Sequence, residues 1–127
     1  MPHFNVQVFE EVLDGQVEQK IIRALTEAVV KVFGERARSI AAVQITGIPR
    51  SRWGVGGSVA KEIAPIATLN IREVALHLPG VDSPINQLIG SVTDAMTEVF
   101  GESTRERVLV QILGIPAGRS GVGGEPA

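Results

Sequence analysis

The chain has 127 residues, a formal charge of -2, 44% hydrophobic and 20% charged residues, which suits a single ordinary domain with a buried core. Its lysines and arginines are scattered, which argues against a nucleic-acid partner. With no cysteine, and with His3 and His77 lacking an acidic cluster, neither a metal nor another cofactor is expected. No run approaches the ~20 apolar residues of a membrane span and no leader pattern opens the chain, so a cytoplasmic protein without membrane contact is expected.

Residues 3–9 alternate, with Phe4, Val6 and Val8 on one face and His3, Asn5 and Gln7 on the other, which predicts a half-buried strand. From Gln16 to Phe33 the apolar residues Val17, Ile21, Leu25, Ala28 and Val32 recur every three or four positions, which predicts an amphipathic helix. Gly34 stands where a helix would be closed. A second strand follows over 41–47, with Val43 and Ile45 inward. Residues 61–68 form a short, partly apolar joint, expected to be packed rather than free. Beyond it the pattern predicts a strand near 69–77, a helix over 84–100 and a strand over 108–114. Asp82 or Ser83 starts that helix, with Pro84 at its first position.

These elements repeat. Residues 17–60 align without a gap onto 84–127, sixty-seven positions later, and twenty of the forty-four positions are identical. Val32-Phe33-Gly34-Glu35 returns as Val99-Phe100-Gly101-Glu102, and Gly54-Val55-Gly56-Gly57 as Gly121-Val122-Gly123-Gly124. Two β-α-β repeats, 1–60 and 68–127, are thus expected to form one domain. Each crossover makes its two strands parallel. The fold class is α/β in two layers, a four-stranded mixed sheet with both helices on one face. The bare face of such a sheet is commonly covered by another copy, so an oligomer is expected.

The Met-Pro start, the β-α-β unit of about sixty residues and the hairpin Trp53-Gly54-Val55-Gly56-Gly57 together resemble the tautomerase superfamily, in its fused form typified by 4-oxalocrotonate tautomerase. The resemblance covers essentially the whole chain. It implies loss of Met1, an N-terminal proline acting as general base, acid or nucleophile, arginines that bind substrate carboxylates, and a homotrimer. It implies no cofactor. The superfamily also contains haloacrylate dehalogenases and a malonate semialdehyde decarboxylase.

Pro2 is the candidate catalytic residue on physical grounds as well. Once exposed, it is a secondary amine held by its ring, and an α-amine titrates near neutrality. An apolar pocket and nearby cations favour its neutral, basic form. Arg52 and Arg119 occupy equivalent places in the two halves, and either could hold a carboxylate through two parallel hydrogen bonds or simply be solvated. Arg38 and Arg105 each lie three residues past a glutamate, which reads as a local ion pair. The superfamily's second-strand arginine aligns with Ala42 and Leu109, and Arg107, two residues earlier on the same strand face, is the candidate substitute. The arginine at the end of the first strand meets Val12 or Leu13. Where longer members carry an arginine pair on the first strand of the second half, this chain has Arg72, with His77 further on. Trp53 replaces the hairpin aromatic, as an apolar wall for the amine or as a packing residue, and Ser120 stands there in the second half.

The expected substrate is a small carboxylate, a 2-hydroxy-dienoate or enolpyruvate-type acid undergoing 1,3-keto-enol proton transfer. The alternatives are water addition to a haloacrylate, with Glu125 as the group activating water, a decarboxylation, or a trimeric scaffold without activity. Only the first unit can present a terminal amine.

Overall fold

A computed structural model describes residues 2–126. Strand β1 (His3–Phe9) leads through helix α1 (Val17–Phe33) to β2 (Ala42–Ile48), and a hairpin of β3 (Gly54–Val55) and β4 (Ser58–Val59) follows. The order then recurs as β5 (Ile66–Arg72), α2 (Pro84–Phe100), β6 (Leu109–Ile115) and the hairpin β7 (Gly121–Val122) and β8 (Glu125–Pro126). The main sheet runs β2-β1-β5-β6. β1 is parallel to β2 and β5 is parallel to β6, while β1 and β5 are antiparallel. The expected mixed sheet with both helices on one face is what forms.

Pattern accounts for the layering. Phe4, Val6 and Val8 point from β1 into a core shared with Leu69 and Ile71 of β5. Ile21, Leu25, Ala28 and Val29 make the buried stripe of α1, and Leu88, Val92, Ala95 and Met96 that of α2. One core therefore runs across both repeats. Asp14 closes the start of α1, its carboxylate accepting the N–H groups of Gln16 and Val17 at 2.9 Å each. These two bonds hold the Asp14 carboxyl below its usual range. Gly34 and Gly101 end the helices at φ 92° and 100°, a left-handed backbone that costs glycine little.

The opposite face of the sheet is polar at its centre, with Asn5, Gln44, Thr68 and Gln111 on adjacent strands. His3 Nε2 and Gln44 Oε1 lie 3.1 Å apart, and the Thr68 hydroxyl meets Gln111 Oε1 at 3.3 Å. Its apolar residues gather on β6, where Leu109 and Leu113 are half exposed.

The second repeat starts earlier than expected. A constant spacing of sixty-seven puts its first strand near 69–77, but the strand is Ile66–Arg72 and residues 73–77 form a 3-10 turn. β2 and β6 keep the spacing of sixty-seven, while β1 and β5 are sixty-three apart, as the repeated partners show: His3 pairs with Ala42 and Ile66 with Leu109. The connection from β5 to α2 is four residues longer than that from β1 to α1. The boundary at 68 accordingly moves to the start of β5. Asn5 pairs with Thr68, its own counterpart, so the twofold relation between the repeats passes through that pair.

Candidate functional site

Residue Pro2 stands at the head of β1, buried, with its carbonyl accepting the Ala42 N–H at 2.9 Å. β5 runs antiparallel to β1, so the end of β5 lies beside the start of β1. The result is a cavity of about 300 Å³ on the helix side of the sheet, lined by Pro2, Phe33, Ile40, Ile71, Val74 and Leu78 together with Arg36 and Arg72. Arg72 closes β5, and Arg36 sits on the turn after α1. Neither guanidinium has an ion pair or a hydrogen bond among the described residues, whereas Arg38, Arg50, Arg105 and Arg107 are each committed to a carboxylate. Two free cations and a proline thus share a mainly apolar space.

Arg72 also lines a second recess, of about 210 Å³, bounded by His3, Asn70, Ile115 and the hairpin segment 120–122. Since His3, Asn70 and Ile115 belong to the polar sheet face, this recess opens on the other side of the sheet from the first.

The other predicted binding residues lie elsewhere in the chain. Trp53 packs edge-on against Phe9 with ring centres 5.0 Å apart, at the far end of β1, about 20 Å of strand away from Pro2. Within the chain it is therefore no wall for Pro2, because the hairpin it opens follows β2 and not β6. Arg52 belongs to the exposed turn Arg50–Arg52 at that same far end. Arg119 is exposed in the turn before β7. Arg107 is not a strand residue: it ends the turn Glu102–Arg107, where its Nε donates to the Ile63 carbonyl at 2.9 Å and its Nη1 lies 3.4 Å from Glu62. It is turned to the linker, beside a separate recess of about 540 Å³. Glu125 is exposed on β8 and lines neither of the two recesses that Arg72 lines. The removal of Met1 concerns a residue outside the described ones.

The local ion pairs form in both repeats. Arg38 joins Glu35 at 2.5 Å and also reaches Glu27, and Arg105 joins Glu102 at 2.6 Å and Asp94 at 2.9 Å. Their hydrogen bonds hold the Glu27, Glu35 and Glu102 carboxyls below the ordinary range. Arg50 does the same for Glu11 at 2.7 Å, while its guanidinium covers the Phe9 ring at 4.4 Å.

Two residues escape a reading by constant spacing. Pro65 is the counterpart of Pro2: its carbonyl accepts the Leu109 N–H at 3.0 Å, as that of Pro2 accepts Ala42. It is visible only once the first strands are aligned sixty-three apart. Arg36 has no equivalent arginine, since Ser103 stands there. Its signal is the lack of any acid three or four positions away, where Val32, Phe33, Ser39 and Ile40 lie.

The architecture defines a class before it defines a family: it is the fold of the fused 4-OT proteins. The chain superposes on native fused 4-OT with a TM-score of 0.81 and 23% identity, over 98% of this chain and 95% of that one. The wild-type F6 fused 4-OT, an asymmetric trimer, gives 0.78 and 22% over 98% and 95%. A member of the cis-3-chloroacrylic acid dehalogenase family, N1, gives 0.76 and 17% over 98% and 82%. No curated protein matches the chain in sequence. Residues 2–63, the first repeat, match the family of tautomerase enzymes, and across both repeats the chain is similar in fold to the fused 4-OT proteins.

Proposed function

We propose that the protein is a tautomerase in which Pro2, freed by loss of Met1, moves a proton between the enol oxygen and C3 of a small 2-hydroxy-2-enoate or enolpyruvate-type acid. The observation that carries this reading is the cavity that holds Pro2 with two uncommitted arginines, Arg36 and Arg72. A secondary amine among Phe33, Ile40 and Ile71 and beside two cations favours its neutral form, the form that accepts a proton. It takes the proton from the 2-hydroxyl and returns it to C3, so the enol becomes the ketone and nothing is gained or lost. One guanidinium holds the carboxylate by paired hydrogen bonds. The other opposes the negative charge that develops on the enol oxygen. No cofactor takes part. Arg52, Arg107, Arg119 and Trp53 are assigned no contact with substrate inside one chain. They remain candidates only as contributions from a neighbouring chain.

The chain is further proposed to act as one domain and to assemble as a homotrimer. The F6 fused 4-OT is a trimer, and the half-exposed Leu109 and Leu113 lie on β6, an edge strand whose free backbone edge invites a partner. The six repeats of a trimer would carry three terminal prolines.

The test is ketonisation of phenylenolpyruvate by the wild type and by Pro2→Ala, with the intact mass of each. The wild type should lack Met1 and turn over, and the variant should lose about 100-fold or more in kcat/KM, the usual contribution of a placed base. A retained Met1 in an active preparation, or a Pro2→Ala protein as fast as wild type, would sink the proposal.

A further inference from the structure

The four extra residues of the second repeat can be placed to the position. Leu13 and Leu76 correspond, because a side chain added at Gly47 would meet the Cδ1 of the one and a side chain added at Gly114 that of the other. The helices begin at Val17 and Pro84, so Asp14 corresponds to Val81. The inserted residues are therefore His77, Leu78, Pro79 and Gly80. His77 Nε2 lies 2.9 Å from Oε1 of Glu73, and the Glu73 carboxylate folds over Gly114 of β6. The insertion is thus braced against the sheet at its start, and Leu78 follows at once as part of the wall of the Pro2 cavity.

Three apolar side chains of that cavity are open to water: Ile40 is 47% exposed, Val74 60% and Leu78 40%. Single exposed apolar residues are ordinary, but three around one cavity mark a surface that meets a ligand. The other end of the β1–β5 pair, around Pro65, serves as a control. Arg107 stands there for Ile40 and Glu11 for Val74, and Leu78 has no counterpart. Both charged residues are engaged, Arg107 with Glu62 and Glu11 with Arg50. The fold accepts charge at these positions, so packing alone does not impose apolar residues beside Pro2. The count of cations points the same way. The cavity holds Arg36 and Arg72, and the proposed reaction uses one for the carboxylate and the other for the enol oxygen. A second carboxylate on the substrate would lie among Ile40, Val74 and Leu78 with no cation left for it, which is costly. An apolar arm gains there by leaving water.

We propose that Ile40, Val74 and the inserted Leu78 determine the specificity of the Pro2 site. They hold the end of a 2-oxo acid, or of its enol, that is remote from the carboxylate, and they select an uncharged aryl or branched alkyl arm. They discriminate against dicarboxylic acids of similar length. The insertion is then what turns the end of the sheet that holds Pro2 toward monocarboxylic acids. The assignment rests on the reading of Pro2 and its two arginines as the site, but it is tested by a ratio of affinities and needs no turnover.

The probes are phenylpyruvate, with an apolar arm, and 2-oxoadipate, with a carboxylate in its place, each titrated into the full-length protein by calorimetry. Wild type should bind phenylpyruvate about tenfold or more tightly than 2-oxoadipate. Ile40→Arg, which installs the residue of the opposite end, should shrink that ratio about tenfold or more, by weakening phenylpyruvate and strengthening 2-oxoadipate. Leu78→Ala should raise the Kd of phenylpyruvate about three- to tenfold and leave that of 2-oxoadipate within about twofold. Both positions are substantially exposed, so the unfolding midpoints should stay near that of wild type. Equal affinity of wild type for the two acids, no binding of phenylpyruvate, or a ratio unchanged in both variants would overturn the assignment. Wild type that shows the ratio, with its loss in both variants, but does not ketonise phenylenolpyruvate overturns the tautomerase reading and leaves the arm site standing. Wild type that ketonises phenylenolpyruvate while both variants keep the ratio does the reverse.

Discussion

The two repeats share a backbone and differ in what they do with it. At one end of the β1–β5 pair lies Pro2, with two uncommitted arginines and open space on both sides of the sheet. At the other end lies Pro65, on the same hydrogen-bonding position and, like Pro2, buried. Around it Arg107 is tied to the linker, and Phe9, Trp53 and Arg50 close the hairpin junction. Duplication copied a proline into a place where it is an amide, and an amide nitrogen cannot accept a proton at neutral pH. Packing then took over the space at that end. The difference teaches that one copy of a fold can be spent on stability while the other keeps a solvent-open cleft.

The largest expected effect breaks the comparison at the prolines. Pro2→Ala should lower kcat/KM about 100-fold or more. Pro65→Ala should leave kcat/KM within about twofold and lower the midpoint of thermal unfolding, because a buried proline also restricts the unfolded chain. Parallel kinetics and calorimetry on the two variants decide it. Equal losses of activity would mean that the second end takes part in catalysis.

A second contrast uses Phe9 and Arg72, equivalent positions with opposite burial. Phe9→Ala should cost about 3–5 kcal/mol of stability, as for a fully buried aromatic. Arg72→Ala, at an exposed position, should stay within about 0.5 kcal/mol yet weaken phenylpyruvate binding. Urea unfolding followed by ligand titration separates the two. The contrast collapses if Arg72→Ala unfolds the protein as readily as Phe9→Ala.

A third variant opens the closed end. Trp53→Ser should cost about 1–3 kcal/mol, since Trp53 is only partly buried, and should create a recess without creating activity, because no amine stands beside it. Activity surviving in a Pro2→Ala, Trp53→Ser double variant would contradict the assignment of chemistry to Pro2 alone.

How much of this is legible in the residues follows from where the repeats agree. Helices, second strands and hairpins share motifs long enough to align, so their positions and the two-layer fold can be read directly. The first strands share only an alternation that any strand of a half-buried sheet adopts, and four extra residues follow the second of them. That insertion hides Pro65 and displaces the expected strand. Pro2 and Arg72 could be named because each stands alone at the end of a strand. Arg36 could not, since its value lies in the acids it lacks. Trp53 stands away from Pro2 within the chain for a topological reason: the hairpin after β2 returns to the end of β1, and only the hairpin after β6 reaches its start. Gly47 and Gly114 were legible as repeats but not as contacts. A side chain at either would run into the carboxylate of Glu10 or Glu73, which folds over the strand.

The smallest effect concerns acid stability, where the repeats are nearly matched. Arg38 holds both Glu27 and Glu35 below the ordinary carboxylate range, chiefly by hydrogen bonds, and Arg105 does so for Glu102. A carboxyl with a depressed folded-state pKa binds fewer protons folded than unfolded. Its contribution is therefore present above the unfolded value and lost as pH falls through the folded one. Wild type should lose stability through the acid range below that value. Arg38→Gln should flatten this dependence more than Arg105→Gln, because it releases two shifted carboxyls rather than one. Both effects should be small and should shrink further in salt, since these side chains are substantially exposed. Urea midpoints across the acid range at low and high salt measure it. A steeper acid loss in Arg38→Gln than in wild type would reverse the sign and show that the cluster strains the folded state.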